Sequence, residues 1–201
     1  AYERQVDRLL SSPHYGEQRA VDWLDLARFA DSHGYTVDRI IDMSPYRDWV
    51  IKAFNENMAY DKFIHWQLAG DLMPNPTREM LTATAFNRIH PQNMEGGIIE
   101  EELRTEYVID RVNTTWQALM GTTFACVQCH SHPYDPFKYD EYYKFLAFFN
   151  NTRDEDTEAD FPLLRQYSDS ANEKLNELLS WLKQNTDDKN STTSVNEDSN
   201  K

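Results

Sequence analysis

The two cysteines of this 201-residue chain lie in one short segment, Cys126-Val-Gln-Cys129-His130. The order C-x-x-C-H is the attachment pattern of c-type haem. Two thiols separated by two residues reach the two vinyl groups of one porphyrin, and the histidine that follows is then placed under the iron as the proximal ligand. The sequence therefore predicts Cys126 and Cys129 as haem attachment residues and His130 as an axial ligand of the iron.

The cysteine pair has three alternative roles, which the sequence leaves open. A redox disulfide of the thioredoxin type belongs in a strand–helix setting, and this sequence has no convincing strand pattern. A structural zinc site needs four ligands, and His130 and His132 would have to join the two cysteines within seven residues, which is cramped. The third alternative is a chance occurrence of the motif.

Haem iron bound by His130 needs a second axial ligand or keeps an open site, and His and Met are the usual ligands. His90 and Met94 lie in the irregular segment RIHPQNMEGG. A loop in this segment could fold over the haem. His132 is too close to His130 in sequence to reach the far side of the same haem. It is predicted instead to support His130 or, with Asp135, to bind another metal.

Charged residues on the predicted helix before the motif are candidate partners of the cofactor. Arg104 and Arg111 are predicted to pair with the haem propionates, because a guanidinium binds a carboxylate in bidentate fashion. Ion pairs with nearby Glu or Asp are the alternative. The run Glu100–Glu102 fits the positive end of the helix dipole, and a metal or acid–base cluster is the alternative.

Apolar residues recur at three- and four-residue spacing in most of the chain, which predicts helices. Ser12 with Pro13 and Ser44 with Pro45 are helix-start signals. The segments with helical patterns are 1–10, 11–35, 44–58, 60–72, 76–89, 98–121, 139–150 and 170–185. The predicted fold class is all-α: an irregular helical domain with a haem-binding loop, followed by a C-terminal amphipathic helix.

The composition changes along the chain and predicts four parts. Residues 1–152 form a cytochrome-like helical domain, and an opening inside a helical pattern indicates a fragment of a longer domain. Residues 153–166 are an acidic linker, and residues 167–186 are an amphipathic helix with a leucine face. Residues 187–201 carry almost no apolar side chains and are predicted to be disordered.

The net charge of -14 limits the classes of partner. An acidic surface repels phosphate backbones and anionic lipid, so nucleic-acid binding is not expected. The sequence has no run of 18 apolar residues, so it predicts no membrane span in this segment.

Several long blocks occur in an order that resembles the planctomycete-type secreted cytochrome-like family, a domain of unknown function numbered 1549. The resemblance covers about residues 2–152, and the blocks that carry it are YERQVDRLLSSPHYGEQRAVDWLDLARFADSHGY, YRDWVIKAFNENMAYDKFIHWQLAGDL, EGGIIEEELRTEYVIDRVNTTWQALMGTTFACVQCHSHPYDPF and YYKFLAFFNNT. It implies an exported bacterial protein with an adjoining cytochrome domain. Ser131, where the family usually has an acidic residue, and Ile89, before His90, depart from the family pattern.

The function predicted from these observations is electron transfer by haem c within a larger multidomain protein. Haem attachment to C-x-x-C-H takes place outside the cytoplasm, so a periplasmic or extracellular location is expected. The partner would be a redox protein or the adjoining cytochrome domain. Two alternatives are a metal-dependent or haem-assisted catalytic domain acting on extracellular substrates, and a structural module with a disulfide or zinc knot.

Overall fold

The computed structural model describes residues 1–152, 164 and 167–190 of the chain. The described residues form eight α-helices, and their nearest approach to a strand is one isolated bridge between Ser32 and Ile40. The helices are α1 (Tyr2–Leu10), α2 (His14–Leu26), α3 (Ser44–Asn55), α4 (Tyr60–Ala69), α5 (Arg78–Ala83), α6 (Glu100–Met120), α7 (Tyr139–Leu146) and α8 (Asp169–Asn190). The predicted all-α class is confirmed, and the haem-binding loop stays a prediction.

The predicted helix starts are close to the observed ones. The hydroxyl of Ser12 accepts a hydrogen bond from the N–H of His14, the first residue of α2. At α3, Ser44 is the first helical residue and not the cap, and the carboxylate of Asp42 accepts bonds from both the N–H and the hydroxyl of Ser44. Short polar side chains therefore satisfy the first free N–H groups of both helices.

The chain between α2 and α3 is a loop, although the pattern predicted a helix as far as residue 35. Arg28 adopts a left-handed backbone with a φ of 62°, and such a residue cannot continue a right-handed helix. The loop closes on itself by two backbone bonds, from the N–H of His33 to Arg39 and from the N–H of Ile41 to Asp31. The same loop contacts the segment that contains Met94 through Arg39.

The first apolar cluster lies among α2, α3, α4 and α5. Its aromatic centre is Trp23, Trp49 and Phe63, with Trp49 and Phe63 stacked at 5.2 Å between ring centroids. The indole N–H of Trp23 is shared between the Tyr46 hydroxyl and the Gln67 amide oxygen, at 3.0 and 3.1 Å. A buried polar group is thereby satisfied inside an otherwise apolar core.

α6 contacts two apolar clusters with different sides. Val108, Val112 and Trp116 follow one another at four-residue spacing and pack in the second cluster, whereas Ala118 and Leu119 pack against the first. Gly121 ends α6 in a left-handed conformation with a φ of 61°, which glycine adopts without steric cost. The chain then turns back and packs against α6, and this return positions both cysteines.

The residues divide into two compact units, Ala1–Pro162 and Leu163–Lys201. Within the second unit, α8 extends the predicted helix to Asn190. Its leucine face, Leu175, Leu178, Leu179 and Leu182, is 37 to 53% exposed. Most of the predicted acidic linker, residues 153–166, and residues 191–201 of the predicted tail lie outside the described residues, so the four-part division stays a prediction.

No described helix is long and apolar enough to cross a membrane.

Candidate functional site

Residues 124–130, which we call the cysteine turn, carry both thiols. Phe124–Gln128 is a 3-10 helix, anchored by the buried side chains of Phe124 and Val127 in the second cluster. Cys126 is half-buried and Cys129 is exposed, and both are free thiols. One side of the turn therefore packs in the core while the other presents thiol groups to solvent.

His130 is exposed at the end of the turn, and its ring orientation is fixed locally. Its Nδ1 lies 2.8 Å from the carbonyl oxygen of Ser131. A carbonyl only accepts hydrogen bonds, so this contact places the ring proton on Nδ1 and leaves the lone pair on Nε2. Metal-bound histidines commonly donate their second N–H to a backbone carbonyl in this way. His130 thus has the tautomer of a ligand that binds iron through Nε2.

α7 holds the cysteine turn on both sides of Cys129 and His130. The Tyr143 hydroxyl donates to the carbonyl of Gln128 at 2.9 Å, and the N–H of Tyr139 donates to the Ser131 hydroxyl at 3.3 Å. One helix therefore contacts the residue before Cys129 and the residue after His130. The sequence pattern predicted α7 but not these two contacts.

Tyr142 anchors α7 in the core beside the turn. Its ring is fully buried, and its hydroxyl bonds Asn113 of α6 at 3.1 Å. Burial raises the pKa of Tyr142 to about 12, and the nearby Tyr143 and Cys129 act in the same direction. Because the charged phenolate would lose hydration there, Tyr142 stays neutral at ordinary pH.

His132 and Asp135 organise the loop after the turn. The His132 side chain is only 7% exposed. Its Nδ1 accepts the N–H of Asp135 at 2.9 Å and that of Tyr134 at 3.3 Å. The backbone N–H of His132 donates to Phe137 at 2.9 Å. Nδ1 of His132 is therefore engaged in closing its own loop.

The structure brings the two cysteines and His130 into one turn but does not assemble a metal-ligand cluster. Within residues 1–152, 164 and 167–190, no group of three or more His, Cys, Asp and Glu side chains is arranged to hold a metal ion. The zinc site and the second metal site gain no geometric support from this part of the chain.

His90 and Met94 lie in the loop before α6. His90 is buried, and its ring packs against Tyr107 of α6 at 4.6 Å between centroids. The Tyr107 hydroxyl accepts the N–H of Asn93 at 2.8 Å, and the sulfur of Met94 contacts the guanidinium of Arg39. This loop is therefore fixed to the side of α6 that carries Tyr107.

The cysteine turn packs on another side of the same helix. Trp116 of α6 stacks on Phe124 at 4.3 Å between centroids. Tyr107 and Trp116 are nine residues apart, about two and a half helical turns, so their side chains leave α6 in opposite directions. His90 and the cysteine turn therefore contact α6 at positions nine residues apart. As sixth ligands, His90 and Met94 stay predictions.

The two arginines predicted as propionate partners make contacts within the protein. Arg104 is paired with Glu101 at 2.7 and 2.9 Å and also reaches Asn150. Arg111 is 3% exposed and donates to the carbonyl of Asn87 at 2.7 Å and to Thr152 at 2.9 Å. These contacts match the alternative of internal pairing for Arg104, and they make Arg111 a buried link between segments.

Glu100–Glu102 form the exposed first turn of α6. The hydrogen bond from Arg104 lowers the pKa of Glu101. The acidic run therefore faces solvent at the positive end of the helix dipole, where negative side chains are favourable.

An ion pair between Arg28 and Asp110 was not foreseen from the sequence. Arg28 Nη2 and Asp110 Oδ2 are 2.8 Å apart, with 21% and 32% of the side chains exposed. Burial lowers the pKa of Arg28 and raises the pKa of Asp110, in each case against the attraction of the partner. The backbone of Arg28 is left-handed although the residue is not glycine, and Asp110 lies in an ordinary helical pattern. Neither residue therefore indicates the ion pair in the sequence.

Comparisons with known proteins give one match. The model of the family named PSCyt2, described as "Protein of unknown function (DUF1549)", matches residues 1–154. No curated protein and no solved structure matches the chain. The family match covers the cysteine turn, the helix that precedes it and the helix that holds it.

Proposed function

We propose that this chain, which belongs to the family of unknown function DUF1549, is a c-type haem-binding domain of an exported bacterial protein. Its role would be electron transfer within a larger multidomain protein. The haem, when bound, supplies an iron that takes up and releases one electron. Cys126 and Cys129 would form the thioether links, and His130 would ligate the iron.

The observation that carries the proposal is the state of three side chains in one turn. Cys126 and Cys129 are free thiols, and the bond from His130 to the Ser131 carbonyl leaves Nε2 available for iron. Because Cys129 and His130 are both exposed, a porphyrin can approach them without unfolding the core. The chemistry and tautomer of this donor set fit a covalently attached haem.

Exposed aromatic rings around the turn add support. Tyr139 and Tyr143, which bond Ser131 and Gln128, are 47% and 43% exposed. A porphyrin needs apolar surface, and buried apolar area is favourable by about 25 cal/mol per Å². Without the cofactor these rings expose apolar surface to water, which is unfavourable. A bound haem would cover part of that surface.

The packing of His90 favours a second candidate, a haem that keeps one axial side open. His90 is buried against Tyr107, whereas the turn packs on Trp116, nine residues further along α6. A haem with one protein ligand binds small molecules, which suits a sensor or a haem-assisted enzyme better than electron transfer alone.

The test is a visible spectrum of the chain exported together with haem-attachment machinery. We expect a Soret band whose pigment stays with the protein after denaturation, measured as the pyridine haemochrome. The Cys126→Ser/Cys129→Ser double variant should lose the bound pigment. His14→Ala, which alters a surface histidine paired with Glu17 on α2, should retain it.

The candidates differ in their response to small ligands. Carbon monoxide should shift the spectrum of the reduced protein at once if one axial side is open, and should leave it unchanged if two protein ligands are bound. A folded, colourless wild-type protein would contradict both candidates.

A further inference from the structure

The end of the cysteine turn that carries the second thiol is held by a long hydrogen bond. Its internal closing bond, from the N–H of Cys129 to the carbonyl of Cys126, is 3.5 Å long, at the outer limit for a hydrogen bond. The 3-10 helix ends at Gln128, immediately before the second cysteine. The spacing of the two thiols therefore depends on support from outside the turn.

Tyr143 provides this support from α7. Its hydroxyl donates to the carbonyl of Gln128 at 2.9 Å, and Gln128 lies between the two cysteines in sequence. The ring is held by edge contacts with Tyr139 at 5.2 Å and with Tyr142 at 5.3 Å between centroids. Tyr142 is in turn fixed to α6 through Asn113. A continuous set of contacts thus runs from α6 to the backbone of the turn.

The bond from Tyr143 acts directly beside the second thiol. Gln128 is the residue before Cys129, so the Tyr143 hydroxyl holds the backbone next to the site of the second thioether.

We propose that Tyr143 is a positioning residue of the haem site, which holds the Gln128 carbonyl so that Cys129 and His130 face one cofactor. The inference rests on the proposed function. It adds that the Tyr143 hydroxyl sets how readily the turn accepts the cofactor and how His130 is oriented toward the iron.

Tyr143→Phe tests this role, since it removes one hydroxyl from a ring that is 43% exposed. Tyr134→Phe is the matched control, because the same atom is removed from a ring that is 93% exposed and close to the turn. A lost hydrogen bond of this kind changes an equilibrium by about fivefold. We expect Tyr143→Phe to lower the fraction of chains with covalent haem by about that factor.

The readouts separate positioning from general stability. In the loaded fraction, Tyr143→Phe should change the ratio of reduced to oxidised haem at a fixed potential by at least about twofold relative to Tyr134→Phe. Thermal unfolding of the two variants should differ by no more than about 2–4 °C, the effect of one lost hydrogen bond in a domain of this size. Equal haem content together with an equal ratio in the two variants would overturn the positioning role while leaving the proposed function intact.

A second measurement needs no haem. In the unloaded protein, the alkylation rate of the half-buried Cys126, read in a Cys129→Ser background, should rise by about fivefold in Tyr143→Phe and stay unchanged in Tyr134→Phe. Equal rates would show that Tyr143 does not hold the turn. A wild-type protein that never acquires haem, with the alkylation difference present, would overturn the haem role of Tyr143 and the proposed function together.

Discussion

Val127 is the residue by which the cysteine turn is packed into the second cluster, and its truncation tests that packing. The side chain lies between the two cysteines and is 0% exposed. Val127→Ala removes two buried carbons, worth about 0.8 kcal/mol each, or about 1.6 kcal/mol. The cavity left behind adds to this cost, so we expect a loss of about 2 kcal/mol in the free energy of unfolding.

The chain offers a matched control for this substitution. Val21 lies on α2 and is 50% exposed, and a surface change of this kind stays within about 0.5 kcal/mol. Urea unfolding followed by circular dichroism gives the free energy of both variants. A loss no larger in Val127→Ala than in Val21→Ala would refute the packing described for the turn.

The same substitution connects packing to the thiols. If the whole loss appears as local opening of the turn, about 2 kcal/mol raises the open fraction by about 30-fold. Cys126 is the half-buried thiol, so its alkylation rate, read in a Cys129→Ser background, should rise toward that factor in Val127→Ala. An unchanged rate would show that the core and the turn are not coupled.

Contacts elsewhere in the domain lead to three more predictions. His90→Ala should lower the free energy of unfolding by about 1–3 kcal/mol, because the ring is buried, whereas His14→Ala at the surface should not; equal values would contradict the burial. Tyr142 has a raised pKa in the folded state, so its contribution is complete below its ordinary value of 10 and is lost as the pH rises toward 12. The free energy of unfolding of the wild type should therefore fall in that pH range relative to Tyr142→Phe, and parallel pH profiles would contradict it. Arg28→Met and Asp110→Leu should each be more destabilising than their combination, because each leaves a partly buried charge without its partner; an additive double-mutant cycle would contradict the pairing.

Much of the helical architecture could be predicted from local sequence. Three- and four-residue spacing of apolar side chains located the helices, and the Ser-Pro pairs at 12–13 and 44–45 lie within two residues of the observed starts of α2 and α3. Gly121, directly after the last apolar position, ends α6 by a left-handed turn. These features depend on neighbouring residues, so one sequence contains their full signal.

The contacts across the fold could not be read in the same way. The sequence located the C-x-x-C-H motif, because all of it lies within five residues. It did not reveal that His90 would pack on Tyr107, since that contact joins a loop to a separate helix. The left-handed Arg28 and the bond from Tyr143 to Gln128 also depend on tertiary packing, which overrides local preference.

The second cluster has a consequence for the order of folding. All its buried side chains come from the continuous stretch between Val108 and Phe149. Contacts so close in sequence close short loops and form quickly. We expect the cysteine turn to acquire its native shape early, without waiting for residues at the start of the chain. Any enzyme that modifies the two thiols therefore acts in competition with the burial of Val127, on a turn that its own neighbours have already shaped.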